Sequence, residues 1–122
     1  MTTVNDTQTL GSTWSLIGPL QDKDGNPIPL AGATIEWELA TASARVLRLS
    51  ETLDGHGSGI TVLDGPTSTV ALVVEPGTQP DANVSAMTYR HAMRVTLPDG
   101  TVHEPIETSN FVVTPSLFVQ FP

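Results

Sequence analysis

Met87-Thr88-Tyr89-Arg90-His91-Ala92-Met93-Arg94-Val95-Thr96-Leu97 alternates from end to end. On an extended chain Tyr89, His91, Met93, Val95 and Leu97 fall on one face. Thr88, Arg90, Ala92, Arg94 and Thr96 fall on the other, the period-two signature of a strand buried on one side. Ala33 to Ala40 repeats the pattern, with Ile35, Trp37 and Leu39 inward and Thr34, Glu36 and Glu38 toward water. Thr69 to Glu75 sets Val70, Leu72 and Val74 on one side. Weaker strand patterns cover Thr13–Gln21, Arg45–Ser50, Gly59–Leu63, Thr101–Ile106 and Asn110–Thr114. Gly, Pro and Asp interrupt the runs about every ten residues, the spacing of an all-β sandwich or barrel. Asp24-Gly25 and Asp99-Gly100 each mark a hairpin turn, where Gly accepts a positive φ.

Composition agrees. The 122 residues suit one domain. Hydrophobic residues make up 39% and charged residues 15%, too apolar and too weakly charged for disorder. No apolar run approaches the ~18 residues of a membrane span, so no membrane partner is expected. Thirteen acidic residues against five basic ones give a net charge of −8, which disfavours nucleic acid. The chain has no cysteine, hence no disulfide, thiol nucleophile or thiolate metal site. Its opening, Met1-Thr2-Thr3-Val4-Asn5-Asp6, lacks the pattern of a secretory signal, so synthesis in a cytoplasm is expected and the sequon Asn83-Val84-Ser85 reads as an ordinary loop.

Three segments are expected. Residues 1–10 are polar and Thr-rich and read as a flexible arm, 11–115 as the β-sandwich, and 116–122 as an apolar tail. Ten prolines, Pro19, Pro27, Pro29 and Pro105 among them, point to edge strands or strand ends. Residues 76–83 have room for one helical turn capped by Thr78 or Asp81. Val4, Leu10, Leu117, Phe118, Val119 and Phe121 are the candidate partner contacts. The tail is read either as a last strand of the domain's own core or as a docking segment for a neighbour.

The candidate chemistry is weak. Gly55-His56-Gly57-Ser58-Gly59 pairs a His with a Ser, but His56 stands where a nucleophile elbow needs Gly, so the stretch reads as a flexible hairpin. Asp22-Lys23-Asp24-Gly25-Asn26 has neither the Gly nor the Glu of an EF-hand at the required places and reads as a turn. His56, His91 and His103 match no zinc spacing, and His91, alternating with apolar residues, reads as a hydrogen-bonded core or rim histidine. Glu36 and Glu38 lie about 7 Å apart on one strand face and read as solubilising charges. No catalytic, cofactor or metal residues are assigned, and no enzyme is expected.

Gly11-Ser12-Thr13-Trp14-Ser15-Leu16, Leu20-Gln21-Asp22-Lys23-Asp24-Gly25-Asn26-Pro27 and Leu30-Ala31-Gly32-Ala33-Thr34-Ile35-Glu36-Trp37 together resemble an opening found in virion proteins of tailed bacteriophages. The resemblance is to the immunoglobulin-like N-terminal domain of baseplate upper proteins and to related small tail or head accessory proteins. Gly59–Val62, Tyr89–Val95, Pro98–Val102 and Asn110–Pro115 fit the same scheme, so the likeness spans residues 11–115. It implies a single immunoglobulin-like β-sandwich of about 7–8 antiparallel strands. It also implies a non-enzymatic virion component, made in the bacterial host cytoplasm and assembled as a homo-oligomer through contacts with identical copies and other virion proteins. Baseplate upper proteins are much longer, and their receptor-binding regions have no counterpart here. Two alternatives come from other classes. A stand-alone adhesion or carbohydrate-binding sandwich would present exposed aromatics, and a small hydrolase would need a catalytic set.

Overall fold

The computed structural model describes residues 2–116, and backbone pairing sorts its strands into two sheets. In the larger sheet β8 (Thr88–Thr96) lies between β9 (Val102–Thr114) and β4 (Thr34–Ala40). Beyond β4 comes β5 (Arg45–Ser50), while β1 (Thr2–Thr3) and β2 (Asp6–Thr9) share the far side of β9. The smaller sheet runs β3 (Trp14–Pro19), β7 (Thr69–Val74), β6 (Gly59–Asp64). A four-residue helix, α1 (Thr78–Asp81), bridges β7 to β8. All pairings are antiparallel except those of β1 and β2 with β9, which are parallel.

The alternating runs became the core. Tyr89, His91, Met93 and Val95 of β8 are buried, as are Ile35, Trp37 and Leu39 of β4. Val70, Leu72 and Val74 meet them from the other sheet, with Trp14 and Phe111 between. Removing a large apolar side chain from water stabilises by about 1.5–3 kcal/mol, so this shared interior is what holds the two sheets face to face. Gly25 at φ 82° and Gly100 at φ 90° supply the positive φ that the two Asp-Gly turns require.

Three expectations need correction. Residues 2–10 of the expected arm are not free, since Thr2, Thr3 and Asp6–Thr9 are in register with β9. The Asn5 side-chain oxygen accepts from the Asn110 N–H, and the Val4 N–H donates to Ser109 Oγ. Thr101–Ile106 and Asn110–Thr114 are parts of one strand, β9, with Pro105 inside it. Two register shifts against β8, between His91 and Met93 and between Met93 and Val95, absorb extra residues there, and a bulge tolerates a proline that a regular ladder would not. Neither Thr78 nor Asp81 caps α1, whose N-cap is Gly77 without a side-chain bond.

In chain order, β3 to β9 occupy the places of strands B, C, C′, D, E, F and G of an immunoglobulin sandwich, with β1 and β2 as a first strand laid against G. The Tyr89 hydroxyl donates to the Ser85 carbonyl and accepts from the Ser85 N–H, the tyrosine corner of that fold at the start of F. Trp37 is the buried tryptophan of strand C. The chain is an all-β, immunoglobulin-like sandwich. Among the described residues no first strand lies beside β3 in the smaller sheet, because β1 and β2 pair with β9 instead.

Candidate functional site

That missing strand leaves a groove. The outer edge of β3 is unpaired among the described residues. Beside it a cleft of about 310 Å3 opens between the sheets, walled by Leu16, Gly18 and Val70 on one side and Val4, Met93 and Ile106 on the other. No charged residue lines it. A Cβ built on Gly18 would meet no atom within 4 Å, so the glycine leaves the wall open at mid-strand. Ile17 stands at the lip, 66% exposed. Of the candidate contacts, Val4 is half-buried in this groove. Leu10 is half-buried against the core, and its N–H donates to the Thr114 carbonyl. Leu117, Phe118, Val119 and Phe121 lie outside the described residues.

Behind the groove, His91 joins the N-terminal segment to the core. The Trp37 Nε1–H donates to His91 Nδ1 at 3.0 Å. That acceptor role puts the proton on Nε2, which donates to the Val4 carbonyl at 2.5 Å. Burial holds the imidazole below its ordinary pKa, against the opposing pull of the Val4 carbonyl and the more distant Asp6. The ring contacts Trp37 and Phe111 in edge-on arrangements, and Trp14 continues the aromatic cluster. In immunoglobulin domains the F-strand cysteine follows the corner tyrosine by two residues. That place is His91, so an aromatic and hydrogen-bonded pin stands where antibody domains carry a disulfide.

The Gly-rich loop is tied down more firmly than a flexible hairpin. Asp54 Oδ1 accepts from the N–H groups of His56 and Ser58, and the Thr78 hydroxyl donates to Oδ2. With the Thr78 proton so used, the buried Ser58 hydroxyl donates to Thr78 Oγ1, while Ser58 Oγ accepts the Glu75 N–H. Burial opposes ionisation of Asp54, but these bonds prevail and hold its carboxyl below the usual range. His56 Nε2 meets Asp81 at 2.6 Å, and that carboxylate raises the imidazole pKa. His56 is thus engaged with Asp81 while Ser58 is engaged with Thr78, so no base addresses the serine oxygen. Gln79, which the sequence reading missed, is buried and clamps the turn before β3. It accepts from the Gly11 N–H and donates to the Ser12 carbonyl, both at 2.7 Å.

The remaining candidates are turn and surface features. Asp22 Oδ1 accepts from the N–H groups of Asp24 and Asn26, closing the first Asp-Gly turn on itself. Glu36 and Glu38 share Arg48 across the β4–β5 pair, and its hydrogen bond lowers the Glu38 pKa. Arg94 pairs with Glu104 on the same face. No group of three metal-ligating side chains comes together among the described residues.

No protein-family model matches the chain, and no curated protein does. Solved structures with a similar course include murine CRIg, at 13% identity over 92% of each chain and a TM-score of 0.42. Another is the first Ig-like domain of human CD48 antigen, at 15% identity over 94% of this chain and 84% of that one, with a TM-score of 0.39. A third is a putative glycoside hydrolase from Bacteroides vulgatus, at 12% identity and a TM-score of 0.45, of which this chain spans 17%. The fold assignment itself rests on the strand order and the Tyr89 corner.

Proposed function

We propose that this chain is a non-enzymatic structural subunit of a bacteriophage particle, a tail, neck or capsid accessory component. It would be made in the host cytoplasm and held in the virion by contacts with identical copies and other virion proteins. The observation that carries the protein-contact reading is the uncharged groove beside the unpaired edge of β3, where main-chain groups and apolar side chains are presented together. The virion context rests on the sequence resemblance across residues 11–115. The carbohydrate-binding alternative is less well supported, because Trp14, Trp37, Tyr89 and Phe111 are all buried and offer no sugar-stacking platform. The deciding experiment is quantitative mass spectrometry of density-purified particles from the source strain. A constant number of copies per major capsid or tail protein is expected, and absence from intact particles would overturn the reading.

A further inference from the structure

We propose that two copies of this chain meet on the outer face of the larger sheet, face to face about a twofold axis that runs along the strands between β8 and β4. This rests on the assembly reading above and names the surface through which identical copies would join.

The charges of this sheet are sorted by strand. β9 carries Glu104 and Glu107, β8 Arg90 and Arg94, β4 Glu36 and Glu38, and β5 Arg45 and Arg48. The strands lie in the order β9-β8-β4-β5, so the sign alternates at every step across the sheet. These strands hold all four arginines of the chain against four glutamates. Outside them stand nine acidic residues and one base, Lys23, so the whole net charge of −8 lies elsewhere. Two copies repel each other through that acidic surface, and the balanced face is where they can approach. Pairing within the sheet, Arg48 with Glu36 and Glu38 and Arg94 with Glu104, accounts for unlike neighbours. It leaves the side chains of Arg48 and Arg94 49% and 58% exposed, and Arg90 exposed with no ion pair among the described residues.

The alternation makes the face its own complement in one orientation. A twofold axis along the strands lays β9 over β5 and β8 over β4 of the second copy, so every opposed pair of strands is unlike in charge. An axis across the strands would lay each strand on its own copy, acid on acid and arginine on arginine. Rotation about the strand-parallel axis also keeps each residue at its height along the strands. Glu36 and Arg94 are level within the sheet, so Arg94 of one copy meets Glu36 of the other. Arg48 is level with Glu38 and Ala92, and meets the stretch of β9 between Ile106 and Ser109 that holds Glu107. Ala92 lies beside the axis, and its short side chain leaves a dimple of about 90 Å3 framed by Glu36, Glu38, Arg48, Arg94 and Glu104. Side chains of the opposite face have room to enter there. A polyanion or a basic protein finds no such match, because either would meet two strands of its own sign. Four strands spaced about 4.8 Å apart and seven residues long at β4 make a face of about 19 by 23 Å. That is small beside the ~800 Å2 per partner of a standard complex, so the pair is reversible.

The test is analytical ultracentrifugation of the full chain over a concentration series. A monomer–dimer equilibrium is expected, weakening as salt rises from about 0.05 M to about 0.5 M. Arg94→Glu and Glu36→Arg should each raise the dimer dissociation constant about tenfold or more, since each sets like charges against one another twice across the axis. An equal mixture of the two variants should recover the dimer, because the substituted positions then oppose each other with unlike charge. Loss of an ion pair within one copy cannot produce that recovery. Ile17→Glu, at the lip of the β3 groove, should leave the dimer unchanged. A chain that stays monomeric throughout would overturn the proposal. So would a dimer that the face variants leave intact, a mixture that stays monomeric, or a dimer lost with Ile17→Glu. Presence in purified particles without this dimer would sink this contact alone, whereas the dimer in a protein absent from particles would sink the virion reading alone.

Discussion

Replacing His91 by leucine should cost the sandwich about 2 kcal/mol, through hydrogen bonding and not through volume. The substitution leaves the Trp37 Nε1–H with no acceptor in a fully buried position, at about 1–3 kcal/mol. It also frees the Val4 carbonyl, a partly buried group whose lost bond is worth about 0.5–1.5 kcal/mol. Burying leucine in place of imidazole offsets part of this, about 1 kcal/mol on the scale of one methylene. At about 4 °C per kcal/mol for a domain of this size, the thermal midpoint should fall by about 8 °C. Both tryptophans are buried, so urea titration followed by fluorescence reads the change. Trp37→Phe and the double variant complete a cycle, with a coupling of about 1 kcal/mol expected.

The pH dependence adds a second requirement. The folded pKa of His91 lies below 6.5, chiefly because of burial. As pH falls through 6.5 the unfolded chain takes up a proton that the native state refuses. The contribution is therefore complete above that pH and is lost on the way down to the folded pKa, at up to about 1.4 kcal/mol per pH unit. His91→Leu should lack this component of the slope. A variant within about 0.5 kcal/mol of the parent, or one whose stability falls in parallel with it between pH 7 and pH 5, would refute the pin.

Other outcomes follow from the loop and turn geometry. Thr78→Val keeps the shape but removes the hydroxyl shared by Ser58 and Asp54, and should lower urea stability by about 2 kcal/mol. Gly59→Ala would put its Cβ 2.9 Å from the Ser50 carbonyl oxygen, so the loop must shift; a loss of about 2 kcal/mol is expected in the same assay. Asp81→Asn should lower the His56 pKa, read by NMR titration of the ring protons, because the carboxylate is what raises it. An unchanged titration would show that the pair does not form in solution.

The strands that could be read in the sequence are those whose side chains do the stabilising. β8 and β4 bury alternate residues, and β7 buries Val70, Leu72 and Val74 with Ala71 besides, so the alternation survives in the letters. β2 could not be found that way, because Asp-Thr-Gln-Thr is held by main-chain pairing to β9 and leaves no apolar period. β9 read as two strands because its bulges break the phase on either side of Pro105. At the candidate sites, His91 was legible as a core histidine, but its partners are 54 and 87 residues away in sequence. Gln79 and Thr78 lie in a Pro-interrupted stretch whose polar residues look solvated, and only the packed loop shows that they are buried. The groove was invisible for a further reason: it is defined by a strand that goes elsewhere.

The parallel course of the first two strands also decides how the domain would carry tension. Thr2 is level with Ile106 and Thr9 with Thr114, so the described chain enters at one pole and leaves at the other. A pull between residues 2 and 116 slides β1 and β2 lengthwise against β9, loading their rungs together and not one after another. The domain would behave as a link that resists stretching until the whole ladder yields.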